Sequence, residues 1–103
     1  SILEHYKKLI SIRNKYKIFY TGDYSTAIVK DGIYGYSVTD DSRDYSMFVI
    51  HNNKTSDVTF KANYDFTDEL SGKTYKAGDT VTVNQLSSMI VRYTGETIPL
   101  SAN

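Results

Sequence analysis

Two hydrophobic periods divide the chain. Over residues 1–17, Ile2, Leu3, Tyr6, Leu9, Ile10, Ile12 and Tyr16 recur at helical spacing, while Glu4, Lys7, Lys8, Ser11 and Lys15 fall largely elsewhere. That pattern predicts one helix. Ser1 and Glu4 have the spacing of a capping box, in which each side chain satisfies a free backbone N–H at the helix start. Lys15 and Lys17 put positive charge at the helix end, where the macrodipole favours it. At about 100° per residue the apolar positions cover about half the circumference, wider than one buried stripe requires. Such a helix is expected to lie between two neighbours, only one of which need belong to this chain.

After Gly22-Asp23 the hydrophobic period falls from about 3.6 residues to about 2. Strands are expected at Tyr24–Lys30, Ile33–Thr39, Tyr45–Asn52, Asp57–Ala62, Thr80–Val83 and Ser88–Tyr93, with a less regular stretch at Tyr64–Leu70. The breaks carry turn chemistry. Asp31-Gly32 is a two-residue hairpin signal, since both residue types tolerate positive φ. Asp40–Asp44 and Asn52–Ser56 read as polar loops, and Ser71-Gly72-Lys73 and Ala77-Gly78-Asp79 as tight turns. The single proline, Pro99, is expected in a frayed tail. The fold class is therefore mainly β: one N-terminal helix followed by a small antiparallel Greek-key β-sandwich. Residues 1–17 form the helical part and residues 18–103 the all-β domain.

Composition narrows the function classes. Lys+Arg and Asp+Glu balance at 12 each, so no charge excess points to nucleic acid or to an anionic membrane. No cysteine is present, which excludes a disulfide framework and a cysteine zinc site. No run of 18 or more apolar residues exists to span a membrane. The chain starts at Ser1 without a signal-peptide pattern and reads as a cut inside a longer protein. A secreted or cell-surface bacterial parent fits these features, and so does the cytosol.

The helix and the strand order together resemble one family. The segment SILEHYKKLISIRNKY, with Tyr6, Leu9-Ile10 and Arg13-Asn14-Lys15-Tyr16 followed by Gly22-Asp23, is similar to the last helix of the (β/α)₈ barrel in α-amylase-family glycoside hydrolases. That family often has proline after the tyrosine, where this chain has Lys17. Downstream, Ile33–Val38, the MFVIHNN of Met47–Asn53, Asp68-Glu69-Leu70-Ser71-Gly72-Lys73-Thr74-Tyr75, Thr80–Val83 and Leu86–Tyr93 resemble successive pieces of the family's C-terminal β-sandwich. The resemblance implies a parent that attacks α-glucans by a retaining mechanism, with two carboxylates on loops at the C-terminal ends of barrel strands. This chain carries none of those strands. No residue in it inherits a catalytic role, and it is expected to stabilise the barrel. No cofactor is expected in the segment, although the resemblance allows Ca²⁺ in the parent.

The chain's own acidic and imidazole groups make weak candidates. Asp40, Asp41 and Asp44 cluster in one loop but lack the ligand alternation and glycine of an EF-hand. Asp65, Asp68 and Glu69 are close in sequence, yet glycosidic chemistry needs two carboxyls opposed across a cleft. His5 and His51 have no cysteine or third histidine to complete a metal set. Asn53-Lys54-Thr55 matches a glycosylation tripeptide that arises often by chance.

Tyrosine is the sharper signal, with ten in the chain and no tryptophan. Tyrosine suits strands for packing reasons alone, but its ring can also stack on a sugar while its hydroxyl hydrogen-bonds. Tyr34 and Tyr36 alternate onto one face of an expected strand and are the candidate carbohydrate-binding pair. A free-standing starch-binding module built on them is the alternative to the supporting role, and a protein-binding scaffold sandwich is the third reading. No catalytic or metal-ligating residue is assigned.

Overall fold

The computed structural model describes residues 2–102, apart from the side chains of Ile2 and His5. The capping box at Ser1 therefore lies outside the described residues, as does any role of the His5 ring. The helical pattern forms α1 (Ile2–Lys15), and a second, short helix that the sequence did not signal follows as α2 (Ile18–Thr21). Lys17, where the resembled family often has proline, has φ −63°, the value a proline ring would impose. Gly22 ends the helical segment, donating its N–H to the Ile18 carbonyl at 2.8 Å. A Cβ there would lie 2.7–2.8 Å from the carbonyl oxygens of Ile18 and Thr39 and from a Val38 methyl, so only glycine lets the chain turn into the sheet this tightly.

Nine strands follow among the described residues: β1 (Asp23–Lys30), β2 (Ile33–Thr39), β3 (Ser46–Asn52), β4 (Val58–Ala62), β5 (Phe66–Asp68), β6 (Thr74–Tyr75), β7 (Thr80–Val83), β8 (Ser87–Tyr93) and β9 (Leu100–Ala102). They form two sheets, one ordered β1-β2-β3-β8-β5-β6 and one ordered β7-β4-β9, with antiparallel pairing throughout. The expected mainly β architecture is present. The Asp31-Gly32 hairpin joins β1 to β2 with Lys30 opposite Ile33, and Gly32 alone takes the positive φ, at 73°. A bulge between Thr26 and Ile28 breaks the register, so Tyr24 and Thr26 share the face of Tyr36, whereas Ile28 turns to the face of Gly35.

The expectation for Pro99 is corrected. Pro99 is fully buried, its carbonyl accepts from the Asn63 N–H at 2.8 Å, and it leads into edge strand β9, whose Leu100 is also fully buried. A proline can precede an edge strand because no sheet partner needs its missing N–H. The neighbouring apolar residue and the groove between the sheets hold the segment down, which composition alone does not reveal.

The larger sheet is covered on both faces. Strand β3 shows this directly, because Met47, Phe48, Val49 and Ile50 are consecutive and all buried. Alternate residues of a strand point to opposite faces, so a continuous buried run requires a neighbour on each side. On one face Phe48, Ile50, Met89 and Val91 pack with Phe60, Val81, Val83 and Leu100 of the smaller sheet. On the other, Val38, Met47, Val49 and Ile90 pack with Ile12 of α1 and Ile18 and Phe19 of α2.

Asn52 ties the sheets together at one end. Its side chain is 1% exposed, and its amide nitrogen lies within hydrogen-bond distance of the carbonyls of Ser56, Val83 and Asn84, at 2.9, 3.1 and 3.2 Å. Its Oδ1 accepts from the Lys54 N–H at 3.0 Å, which shapes the polar loop after β3. Asn52→Ala removes the donor and leaves buried carbonyls unpaired, at a cost of about 1–3 kcal/mol. Asn52→Asp is expected to cost more at neutral pH, since a carboxylate would face those carbonyl oxygens. Urea unfolding of the two variants checks both the loss and its order.

Candidate functional site

Helix α1 presents two apolar stripes. Leu9, Ile12 and Tyr16 face the sheet, whereas Leu3, Tyr6 and Ile10 are 63%, 60% and 55% exposed. At about 100° per residue the two stripes lie about 120° apart. The breadth seen in the sequence thus divides into one packed side and one open side.

The packed side is fastened at its C-terminal end. The Tyr16 hydroxyl donates to Glu69 Oε1, and Arg92 Nε lies 3.7 Å from Glu69 Oε2. Burial, then the hydrogen bond and negative charge of Glu69, push the Tyr16 pKa up. Tyr45 meets the Tyr16 ring edge-on at 5.9 Å between centroids. Asp68 is likewise structural: Oδ1 accepts from the N–H groups of Leu70 and Ile90, and Oδ2 accepts from the Ser71 hydroxyl. Neither Asp68 nor Glu69 points its carboxylate across a cleft at another.

Beside the helix, the strands gather tyrosines. Tyr34 and Tyr36 do share a face, with centroids 5.8 Å apart and rings tilted by 45°. Tyr24 from β1 stacks on Tyr36 at 5.6 Å and 28°, and His51 from β3 lies 6.4 Å from the Tyr36 ring. The row is anchored by the Tyr24 hydroxyl, which donates to the Phe19 carbonyl at 2.6 Å. Tyr34 is 42% exposed. Tyr36 is half-buried, which raises its pKa, with Arg13 opposing the shift. The His51 Nδ1 lies 2.7 Å from the Ser88 hydroxyl. The strand alternation pointed to the Tyr34–Tyr36 pair; Tyr24 joined it through the register of β1 on β2, which no local pattern encodes.

A second tyrosine group stands at the opposite end of the larger sheet. Tyr45, Tyr64, Tyr75 and Tyr93 line an open concavity of about 470 Å³. Tyr64 stacks on Tyr93 at 6.1 Å and 20°, and Tyr75 lies 5.1 Å from Phe66. The Tyr64 oxygen is bound by the Thr97 hydroxyl at 2.8 Å and accepts from the Thr97 N–H at 3.2 Å, contacts that favour the phenolate and lower its pKa. Tyr93 is buried and its pKa is raised by that burial.

The acidic loop has an internal use. Asp40 Oδ1 accepts from the Ser42 N–H and hydroxyl at 3.0 and 2.7 Å, while Oδ2 accepts from the Thr21 hydroxyl at 2.8 Å and lies 3.3 Å from Arg43 Nε. One carboxylate thereby joins α2 to the loop between β2 and β3. Among the described residues no group of three or more His, Cys, Asp or Glu side chains is placed to hold a metal ion, and no helix is long and apolar enough to cross a membrane.

The fold recurs within larger enzymes. An α-amylase from Anoxybacillus superposes with a TM-score of 0.70 at 19% identity, covering 91% of this chain and 22% of that one. A pullulanase from Anoxybacillus sp. LM18-11, solved with maltotriose, gives 0.65 at 14% identity over 84% of this chain and 14% of its own. A β-galactosidase from Bacillus circulans sp. alkalophilus gives 0.54 at 20% identity over 65% of this chain and 10% of its own. The chain thus spans about a fifth or less of the glycosidases it superposes on. No family model and no curated protein sequence matches it.

The Asp40 contacts have a pH signature. Hydrogen bonds from Ser42 and Thr21, aided by Arg43, hold its pKa at about 2 against an ordinary 3.8. A depressed carboxylate stabilises the fold fully above its unfolded pKa and loses that contribution as pH falls through the folded value. Wild type is therefore expected to exceed Asp40→Asn in stability above about pH 4, with the gap closing as pH approaches 2. Denaturant midpoints across that range test it, and a gap independent of pH would refute it.

Proposed function

We propose that this chain is the non-catalytic C-terminal part of an α-amylase-type glycoside hydrolase acting on α-glucans. In this reading α1 is the last helix of the parent's (β/α)₈ barrel, and the sandwich buttresses the barrel through it. The observation that carries the reading is the open stripe of Leu3, Tyr6 and Ile10 on a helix whose other stripe already packs on the sheet. A helix with one neighbour needs one stripe. A second stripe fits a second apolar body, and the superposition on part of an α-amylase and part of a pullulanase agrees in kind with that body being a catalytic barrel. The glycosidic chemistry, its two carboxylates and any Ca²⁺ then belong to the barrel.

A second reading treats the chain as a free-standing starch-binding module. What favours it is the adjacency of the Tyr34 and Tyr36 rings with Tyr34 open to solvent. It requires retention on a starch gel that disappears in the Tyr34→Ala, Tyr36→Ala double variant.

The supporting role makes a prediction about the chain by itself. Covering apolar surface is worth about 25 cal/mol per Å², so the bare stripe is expected to drive self-association or to bind a hydrophobic dye. Leu3→Ser, Tyr6→Ser and Ile10→Ser together should abolish both and leave the β-sheet signal of circular dichroism intact. Sedimentation equilibrium and dye fluorescence read the outcome; a wild-type chain that is monomeric and dark to the dye would contradict the role.

A further inference from the structure

The concavity at the free end of the larger sheet has the chemistry of a sugar site, and it is separate from the Tyr34–Tyr36 row. Its walls are aromatic and fixed. Tyr64 cannot swing away, because its ring is stacked on Tyr93 and its oxygen is bound by Thr97. It also lies flat on the backbone of Gly95: a Cβ at that position would come 2.5–2.7 Å from the ring carbons. Glycine here makes room for the tyrosine. Across the groove Tyr75 sits on the outermost strand, held against Phe66 in register. Tyr45 closes the third side and is itself braced by Tyr16 of α1.

Polar residues complete the rim. Thr67 and Thr74 alternate in register with Phe66 and Tyr75 at the end of the sheet, and the Thr94 hydroxyl donates to the Asp44 carbonyl at 3.0 Å. Arg92, with its side chain 46% exposed, lines the groove; it is shared with Glu69, 3.7 Å from its Nε, and with the Tyr16 hydroxyl, which leaves part of its five-donor fork for a ligand. Most of the nearby charge is paired. Arg92 is matched by Glu69, and Lys76 by Asp65 at 3.7 Å, while the Lys73 ammonium lies 4.9 Å from the Tyr75 ring centroid. Preformed aromatic rings beside hydroxyl, guanidinium and ammonium groups suit a ligand with apolar faces and hydroxylated edges. A pyranose ring has that description.

We propose that the groove bounded by Tyr45, Tyr64, Tyr75, Tyr93 and Arg92 binds a short segment of α-glucan. That the ligand is a sugar follows from the lining; that it is an α-glucan rests on the proposed parent. The site would hold polymer against the enzyme away from the reacting bond. An open groove buries only part of each sugar, so affinity is expected at about the millimolar level.

The test is a nitrogen-15 NMR titration of the wild-type chain with maltoheptaose, with cellohexaose in parallel. Shifts of the amides of Tyr45, Tyr75, Arg92 and Thr94 with maltoheptaose support the proposal. The Tyr75→Leu variant keeps an apolar cover on Phe66 but removes the aromatic face, and its affinity is expected to fall about fivefold or more. Because the mapping is done on wild type, a misfolded variant does not decide the matter. No shift with either sugar at about 10 mM overturns the proposal, given the affinity expected of such a groove, while leaving the supporting role of the chain untouched. Shifts confined to Tyr24, Tyr34 and Tyr36 overturn it equally and place sugar on the other row. Response to cellohexaose alone overturns the α-glucan assignment and counts against the proposed parent.

Discussion

Four consecutive residues of β3 that never see water impose the architecture. Met47, Phe48, Val49 and Ile50 alternate between the faces of the larger sheet, so both faces must be roofed. The smaller sheet roofs one, with β4 at its centre and β9 recruited to its edge. The helices roof the other, and the tight turn at Gly22 is what folds them back onto it. The remaining features adjust these two contacts. Asn52 clamps the sheets at one end, Asp40 joins α2 to a strand loop, and the Tyr16–Glu69–Arg92 group pins the end of α1.

Much of this architecture was legible because it is local. The change of period at Gly22-Asp23 marks the start of β1, and the glycine turns at 32, 72 and 78 fall where positive φ is used. Strand centres were placed well and ends less so: Tyr45 and Asp57 lie just outside the strands expected to include them, and of the less regular Tyr64–Leu70 only Phe66–Asp68 forms a strand. The tyrosines are β-favouring, but hydrogen-bonded partners end sooner than the pattern does; Asp57 is a strand-disfavouring residue whose Oδ1 accepts from the Gln85 N–H at 2.8 Å. Three elements escaped for a different reason. Helix α2 is four residues long and β6 two, both too short to display a period, and Pro99-Leu100 is held by a strand nearly forty residues earlier in the chain.

The tyrosines show the same division. Alternation was enough to set Tyr34 beside Tyr36. It could not assemble Tyr45, Tyr64, Tyr75 and Tyr93, which come from four separated segments brought together by the order β3-β8-β5-β6. The carboxylates follow suit. Asp68 and Glu69 were weak acid–base candidates on sequence proximity alone, and in the fold one organises a turn and the other receives Tyr16. The likeness to parts of an α-amylase and a pullulanase is a likeness of fold.

The roofing of the sheet by α1 also bears on how such a piece can be moved between proteins. A cut just before β1 would carry off all nine strands yet expose Val38, Met47, Val49 and Ile90, which are at most 3% exposed here. The transferable unit is therefore the strands with their helix. Grafted onto a new host, that unit would carry the exposed stripe of Leu3, Tyr6 and Ile10 with it, and under the proposed supporting role that stripe is its attachment point. Recombination that respects packing would shuffle the sandwich and its handle as one.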